Sequence, residues 1–328
     1  MTPPTNSAPP DALAPPQDDG PSGNQSGRRD RVGVSLIILS AIAFSAKAIF
    51  VKLAYADTAG AAARIDPVTL LTMRMLLALP FFAVIAWWSS RGARLLDMRD
   101  WRTMVVIGLM GYYGASLLDF WGLLYISAAL ERLILFLNPT LVVLISAFAL
   151  GYRIVRRDVF ALVASYAGIA LVFAHDLSFN PGKVWLGSSL VLLSALLYAG
   201  YLVGAGQMIK RVGATRFAAY ASIISTVAIT LHFFITRELT ALTGQSSQVW
   251  KLAGWMAVVS TVLPVVMMAE GMRRVGSSNA AMMGSIGPIA TIFMGAIFLG
   301  EPITGVQLAG ATLVMAGVLA ISLKKAKP

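Results

Sequence analysis

Apolar residues run through this chain in long blocks rather than at alternating positions. Ten blocks stand out: 32–55, 67–88, 102–125, 127–150, 158–174, 185–209, 215–236, 251–273, 277–299 and 303–323. A helix rising ~1.5 Å per residue needs about 20 apolar residues to cross a bilayer, and most of these blocks are that long. The block at 158–174 is short, and the two within 102–150 are separated only by a turn at Ile126-Ser127. Lipid offers no partner to an open backbone donor or acceptor, so each block is predicted to be helical. Residues 1–31 are rich in Pro, Gly, Ser and Asp and carry no apolar run; they are expected to form a disordered cytoplasmic tail.

The apolar pattern repeats. Pro139-Thr140 through Ala170 lies on Pro288-Ile289 through Leu319 at a constant offset of 149, which also superposes Leu150-Gly151 on Leu299-Gly300. Upstream, Gly33 through Leu36 matches Gly187 through Leu190 at an offset of 154, with Ser40-Ala41 on Ser194-Ala195 and Phe44 on Tyr198. A loop absorbs the change in offset. Residues 32–174 form the first repeat of five helices and 185–323 the second, followed by a basic tail at 324–328. Internal repeats in a helical membrane protein point to a transporter with its site between the halves.

Composition narrows this further. With 57% hydrophobic and 12% charged residues, the chain has too little polar surface for a water-soluble fold. The net charge of +11 suggests nucleic acid until its placement is considered. Lys and Arg gather in alternate connections, eighteen on one side against Arg64, Lys183, Arg237 and Lys251 on the other. By the positive-inside rule both termini face the cytoplasm, an even number of spans is required, and the halves have opposite orientations. The expected fold class is therefore an all-α integral membrane protein with ten transmembrane helices in two inverted five-helix repeats, placed in the cell (inner) membrane. No nucleic-acid partner is expected. The Arg28-Arg29 pair reads as a positive-inside flank, since the following block is too long for an export signal. Zero cysteines exclude disulfides and thiolate chemistry.

Several motifs resemble the drug/metabolite transporter superfamily, EamA-type. They are Arg74-Met75-Leu76-Leu77-Ala78, Ser127-Ala128-Ala129 leading to Pro139, Gly276-Ser277-Ser278-Asn279-Ala280, Pro288, and Phe298-Leu299-Gly300-Glu301-Pro302. The first half departs from the last motif: Tyr152 stands where the family usually has that glutamate. The resemblance covers nearly all of 32–323. It implies ten helices in two inverted repeats and export or exchange of small metabolites, without naming the substrate.

Ionisable groups within a bilayer are costly and are functional candidates by default. Lys47, Arg74, Asp119 and Glu131 fall in one layer, about 6–12 Å below the outer boundary by helical rise. They come from four helices of the first repeat and have no charged mates in the second; Lys47 aligns with Tyr201, Asp119 with Met268 and Glu131 with Ala280. Helical spacing puts Ser40, Phe44 and Lys47 on one face, and Ser194, Tyr198 and Tyr201 on the equivalent face. Tyr112, Ser116 and Asp119 share a third face, and Glu131, Leu135 and Asn138 a fourth. The candidate substrate site thus comprises Ser40, Phe44, Lys47, Arg74, Tyr112, Asp119, Glu131, Asn138, Tyr198 and Tyr201. Arg74 and Lys47 each have a second reading, as partners of Asp119 or Glu131. Arg132 reads as a pairing residue, Lys52 as a snorkelling lysine, and Glu270 as a surface partner of Arg273 and Arg274. Pro139 and Pro288 are candidate hinges, one per repeat.

The function these residues predict is a secondary transporter, an exporter or exchanger of a small zwitterionic or anionic, amino-acid-like metabolite, working by alternating access as a monomer or dimer. Export of hydrophobic drug-like compounds and a channel are the alternatives. An enzyme built on Ser285 and His232 is not expected, and neither a cofactor nor a metal is. No Walker-type glycine-lysine loop is present, so the chain does not hydrolyse ATP itself.

Overall fold

A computed structural model describes residues 23–59, 65–151, 155–178, 181–275 and 283–322. The motif at Gly276–Ala280, Tyr152, Arg64 and the tail at 324–328 lie outside the described residues. Every regular element among them is helical: α1 (Gly23–Asp57), α2 (Pro67–Ser90), α3 (Met98–Gly122), α4 (Ala128–Leu135), α5 (Asn138–Leu150), α6 (Arg156–Leu177), α7 (Pro181–Val212), α8 (Ala214–Thr236), α9 (Thr240–Thr243), α10 (Ser247–Val275), α11 (Gly287–Leu299) and α12 (Gly305–Ser322). The first helix begins at Gly23, inside the stretch expected to be tail.

Local chemistry explains where several helices start. Asp66 accepts hydrogen bonds from Val68 N and Thr69 N with Pro67 opening α2, Asp97 accepts from Asp100 N, Ser127 from Leu130 N, and Ser246 from Val249 N. Each cap satisfies donors that the first turn leaves without partners.

Among the described residues, eight helical spans are long and apolar enough to cross a membrane, with α4 and α5 counted as one span over Ala128–Phe148. Two further apolar helices, Gly287–Leu299 and Gly305–Ala320, are shorter. The outer surface is apolar: Trp88, Phe148, Ile235 and Ile297 all project outward. Such a belt is a liability in water and the natural surface in lipid. The largest buried cluster gathers Val51, Leu70, Leu71, Phe120, Phe233 and Met256 from five helices of both halves.

The 149 offset read from the sequence is written into the backbone. A π-helical segment interrupts α3 at Leu109–Gly114 and α10 at Val258–Val262, starting at equivalent positions. A two-residue turn at Phe136-Leu137 precedes α5, and another at Ser285-Ile286 precedes α11. Both following helices end in a left-handed glycine, Gly151 at φ 68° and Gly300 at φ 66°. These glycines supply a backbone geometry that other residues adopt at a cost.

The two halves interleave. Helix α1 packs on α10, the third block of apolar residues in the second half, while α7 packs on α3 in the first. Ser40 Oγ donates to the Pro264 carbonyl at 2.9 Å, and Ser194 Oγ donates to the Ala115 carbonyl at 2.7 Å. Both donors and both acceptors are repeat mates, at offsets of 154 and 149. Helices α6 and α12, also mates, pack against each other.

Candidate functional site

Between the halves lies a cavity of about 330 Å³. Its walls include four pairs of repeat-equivalent residues: Phe44 with Tyr198, Gly111 with Ser260, Tyr112 with Thr261, and Ser116 with Val265. A cavity lined at matching positions from both repeats sits on the pseudo-twofold relationship itself. The first broken helix contributes Leu135, Phe136, Asn138 and Pro139 to the wall. The turn at Phe136-Leu137 thus exposes irregular backbone to a cavity rather than to lipid, which is where a bilayer protein tolerates it.

The charges are not symmetric. Lys47 Nζ lies 2.5 Å from Asp119 Oδ2 and 2.9 Å from Glu131 Oε1. The Glu131 contact is an ion pair rather than a well-aligned hydrogen bond, and Glu131 Oε2 has no hydrogen-bond partner among the described residues. Glu131 is fully buried and Asp119 nearly so. A lysine this deep requires compensation, and two carboxylates from α3 and α4 provide it. Arg74 forms no ion pair among the described residues: its Nε donates to Thr261 Oγ1 at 2.8 Å, and its guanidinium lies 5.6 Å from the centre of the Phe120 ring. Thr261, in the π-helical segment, in turn donates its Oγ1 to the Met256 carbonyl just before that segment.

Eight of the twelve candidate site and hinge residues line this cavity: Phe44, Lys47, Arg74, Tyr112, Asp119, Asn138, Tyr198 and Pro139. Ser40 does not. It shares the face of Phe44 and Lys47, but α10 crosses α1 at its level, and its hydroxyl bonds the Pro264 carbonyl. Tyr201 does not either. It is buried, stacks 5.2 Å from Tyr198 and 5.9 Å from Phe217, and meets Tyr112 edge-on at 5.4 Å, so it supports the wall from behind. Glu131 lies behind Lys47 and reaches the cavity only through that ammonium. Pro288 is buried and is not among the lining residues.

The prolines also differ from the expected mid-helix kink. Each occupies one of the first two positions of a new helix, α5 or α11, where the missing N–H would have had no partner anyway. The break is the turn before each proline.

Arg132, a candidate pair partner in the charged layer by sequence, forms no ion pair among the described residues; it lines the cavity, its Nε is buried without a hydrogen-bond partner, and its guanidinium lies against Gly287. Its neighbour Glu131 pairs with Lys47 instead. Thr261 and Phe136 were missed, and only the repeat mate of Tyr112 could have pointed to Thr261.

The sequence matches the EamA-like transporter family twice, over residues 31–174 and 185–323. The chain belongs to the EamA-like transporter family. Among its relatives, the uncharacterized transporter YcbK of Bacillus subtilis (strain 168) is 30% identical over 314 residues, covering 92% of this chain and 96% of YcbK. The uncharacterized transporter YyaM of the same organism is 24% identical over 220 residues, covering 66% of this chain and 72% of YyaM. A solved crystal structure superposes with a TM-score of 0.57 at 17% identity, spanning 91% of this chain and 96% of the other, which supports the fold. The protein is thus a multi-pass membrane transporter of the drug/metabolite superfamily with a two-repeat architecture.

In this EamA transporter the glutamate of the Leu-Gly-Glu motif ties the repeats together. Glu301 Oε1 accepts from Ala128 N at 3.1 Å, at the start of α4, while Ser127 Oγ donates to Asp176 at 3.1 Å. Glu270 bonds Arg273 at 2.7 Å and Arg274 at 2.6 Å, as expected of a surface cluster. Lys52 is half-buried and forms no ion pair among the described residues. His232 Nδ1 lies 2.8 Å from Tyr113 Oη, and Ser285 sits in the turn before α11.

Proposed function

We propose that this EamA transporter is a secondary transporter with ten membrane-spanning helices in two inverted five-helix repeats, and that it exports or exchanges a small zwitterionic or anionic metabolite by alternating access. The observation that carries the proposal is the central cavity, walled by repeat-equivalent residues and furnished with charges from the first repeat alone. A symmetric frame supplies two related conformations that expose one site to opposite sides in turn. The unmatched charges give that site chemical preference. Three basic groups, Lys47, Arg74 and Arg132, stand against two acidic ones, Asp119 and Glu131, which disfavours a cation as cargo. The volume of about 330 Å³ suits a small metabolite, and buried charge at the walls disfavours a purely apolar one.

In this scheme Phe44, Tyr112, Tyr198, Arg74 and Asn138 contact the cargo. Lys47 with Asp119 and Glu131 forms a charged floor. The turns before Pro139 and Pro288 act as hinges. Both termini lie in the cytoplasm in this scheme, a placement that the charge bias supports, and the protein resides in the inner membrane.

The test is an untargeted comparison of metabolites in the medium of cells with and without the gene, followed by flux measurements on purified protein in liposomes. The expected result is a small zwitterion or carboxylate that accumulates outside and moves in a protein-dependent way down its gradient or by exchange. Movement of only large cations or apolar drugs would overturn the reading.

A further inference from the structure

The paired and unpaired cations of the cavity are two different devices. Lys47 is neutralised twice over, by Asp119 and Glu131. Both acids touch that one ammonium, and neither lies within ion-pair distance of Arg74 or Arg132 among the described residues. The three together carry a formal charge of −1, and the two arginines add +2. The site therefore holds an excess positive charge, and it resides on guanidinium groups.

Arg132 is the less satisfied of the two. Its Nε is buried with no hydrogen-bond partner, and its other nitrogens make no hydrogen bond among the described residues. Arg74 has one bond, from Nε to Thr261, leaving its two terminal nitrogens without a protein acceptor among the described residues. A guanidinium buried without an acceptor is expensive, and a planar fork of donors is the natural receptor for a carboxylate. The backbone accommodates this placement. A Cβ built on Gly287 would stand 2.7 Å from Arg132 Nη2, so glycine at the start of α11 is what leaves room for the guanidinium. Beside the arginines, Phe44, Phe136 and Tyr198 offer apolar and aromatic wall.

We infer that Arg132, assisted by Arg74, is the subsite for the carboxylate of a small organic acid or amino acid, with the aromatic wall taking its apolar part. This inference rests on the transport reading above and names the group of the cargo that is recognised. It also separates Lys47 from the cargo: that ammonium already has its anions. Because Arg132 belongs to the first repeat and lies against Gly287 in the second, a carboxylate bound there bridges the two halves beside the turn at Ser285-Ile286.

The test uses the full-length protein in detergent and three probes of similar size: phenylacetate, phenylacetamide and phenethylamine. Binding is followed by calorimetry. Phenylacetate is expected to bind at least about tenfold more tightly than the amide, and the amine most weakly, since one charge-assisted contact is worth a factor of about ten or more. Arg132→Gln should abolish the preference for carboxylate over amide, and Arg132→Lys should restore it in part. Gly287→Ala keeps the charge but crowds the guanidinium, and should weaken phenylacetate alone; it serves as the second variant if Arg132→Gln does not fold. Equal binding of acid and amide, preference for the amine, an undiminished preference in both variants, or no detectable binding of any probe would each overturn the inference. If the carboxylate preference holds but liposomes show no flux, the transport reading fails and the anion site stands. If flux is seen without that preference, the reverse applies.

Discussion

Ser40 and Ser194 make the same contact in the two halves of the protein. Each is buried, and each donates across a helix crossing to a carbonyl just past a π-helical segment, Pro264 for Ser40 and Ala115 for Ser194. The pair shows how the repeats hold each other: the first helix of either half clasps the third helix of the other. Interhelical hydrogen bonds in bilayers are individually modest. Ser40→Ala and Ser194→Ala should therefore each lower stability by about 0.5–1.5 kcal/mol. Thermal unfolding in detergent should show similar losses for both, with cargo affinity close to normal. A loss of affinity without a loss of stability in Ser40→Ala would return that hydroxyl to the binding site.

Lys47 is expected to be structural first. Removing it leaves Asp119 and Glu131 buried together without a counter-charge. Breaking a buried ion pair in this way costs about 3–5 kcal/mol. Lys47→Met should lower the melting temperature sharply, and the double change Lys47→Met with Asp119→Asn should recover part of the loss. An unchanged melting temperature in the single variant would show that the acids do not depend on the lysine.

The prolines follow the turns and open new helices, so alanine fits either position without losing a hydrogen bond. Replacing both Pro139 and Pro288 with Ala allows each helix to continue through its turn, which should stiffen the break. Turnover in liposomes is expected to fall while equilibrium binding stays near normal. Unchanged turnover would make the two turns passive features of packing.

Glu301 caps the first turn of α4 from the far end of α11. An N-terminal cap with a charged acceptor is worth about 1–2 kcal/mol. Glu301→Ala should lose that amount in thermal unfolding, and Glu301→Gln should keep most of it because an oxygen acceptor remains. Equal stability of all three proteins would leave the glutamate without a structural role.

The topology proposal has a direct check. Reporter fusions after Lys210, in the last turn of α7, and after Leu242, between α8 and α10, should report opposite sides, cytoplasmic and external. Reports from the same side would remove the inverted arrangement.

Most of the scaffold was legible along the chain. Block length and apolarity dictate helices because lipid leaves the backbone no alternative, and the observed spans fall close to the apolar blocks. The 149 offset reappears in π-helical segments, turns and glycine caps that no hydropathy pattern could announce. The start of α1 at Gly23 was not legible, since the Pro- and Ser-rich stretch before it argued for a tail.

The site was legible in part, and the misses share one cause. Helical periodicity assigns residues to a face but not to a neighbour. Ser40 lies on the same face as Phe44 and Lys47, yet a crossing helix covers one end of that face and leaves the other open. Tyr201 shares a face with Tyr198, yet only Tyr198 lines the cavity.

What the sequence alone determined is therefore the helical membrane scaffold, its repeat, its family and the short list of buried charges. These depend on composition, spacing and self-similarity, which are properties of the chain. What only the tertiary structure decided is which charges meet. Lys47 and Asp119 are 72 residues apart, and packing brings them into contact; the same packing leaves Arg132 facing Gly287 instead of its neighbour Glu131. Electrostatic partnership falls off with distance in space, and in a bundle of interleaved repeats that distance is set by helix packing rather than by position in the sequence.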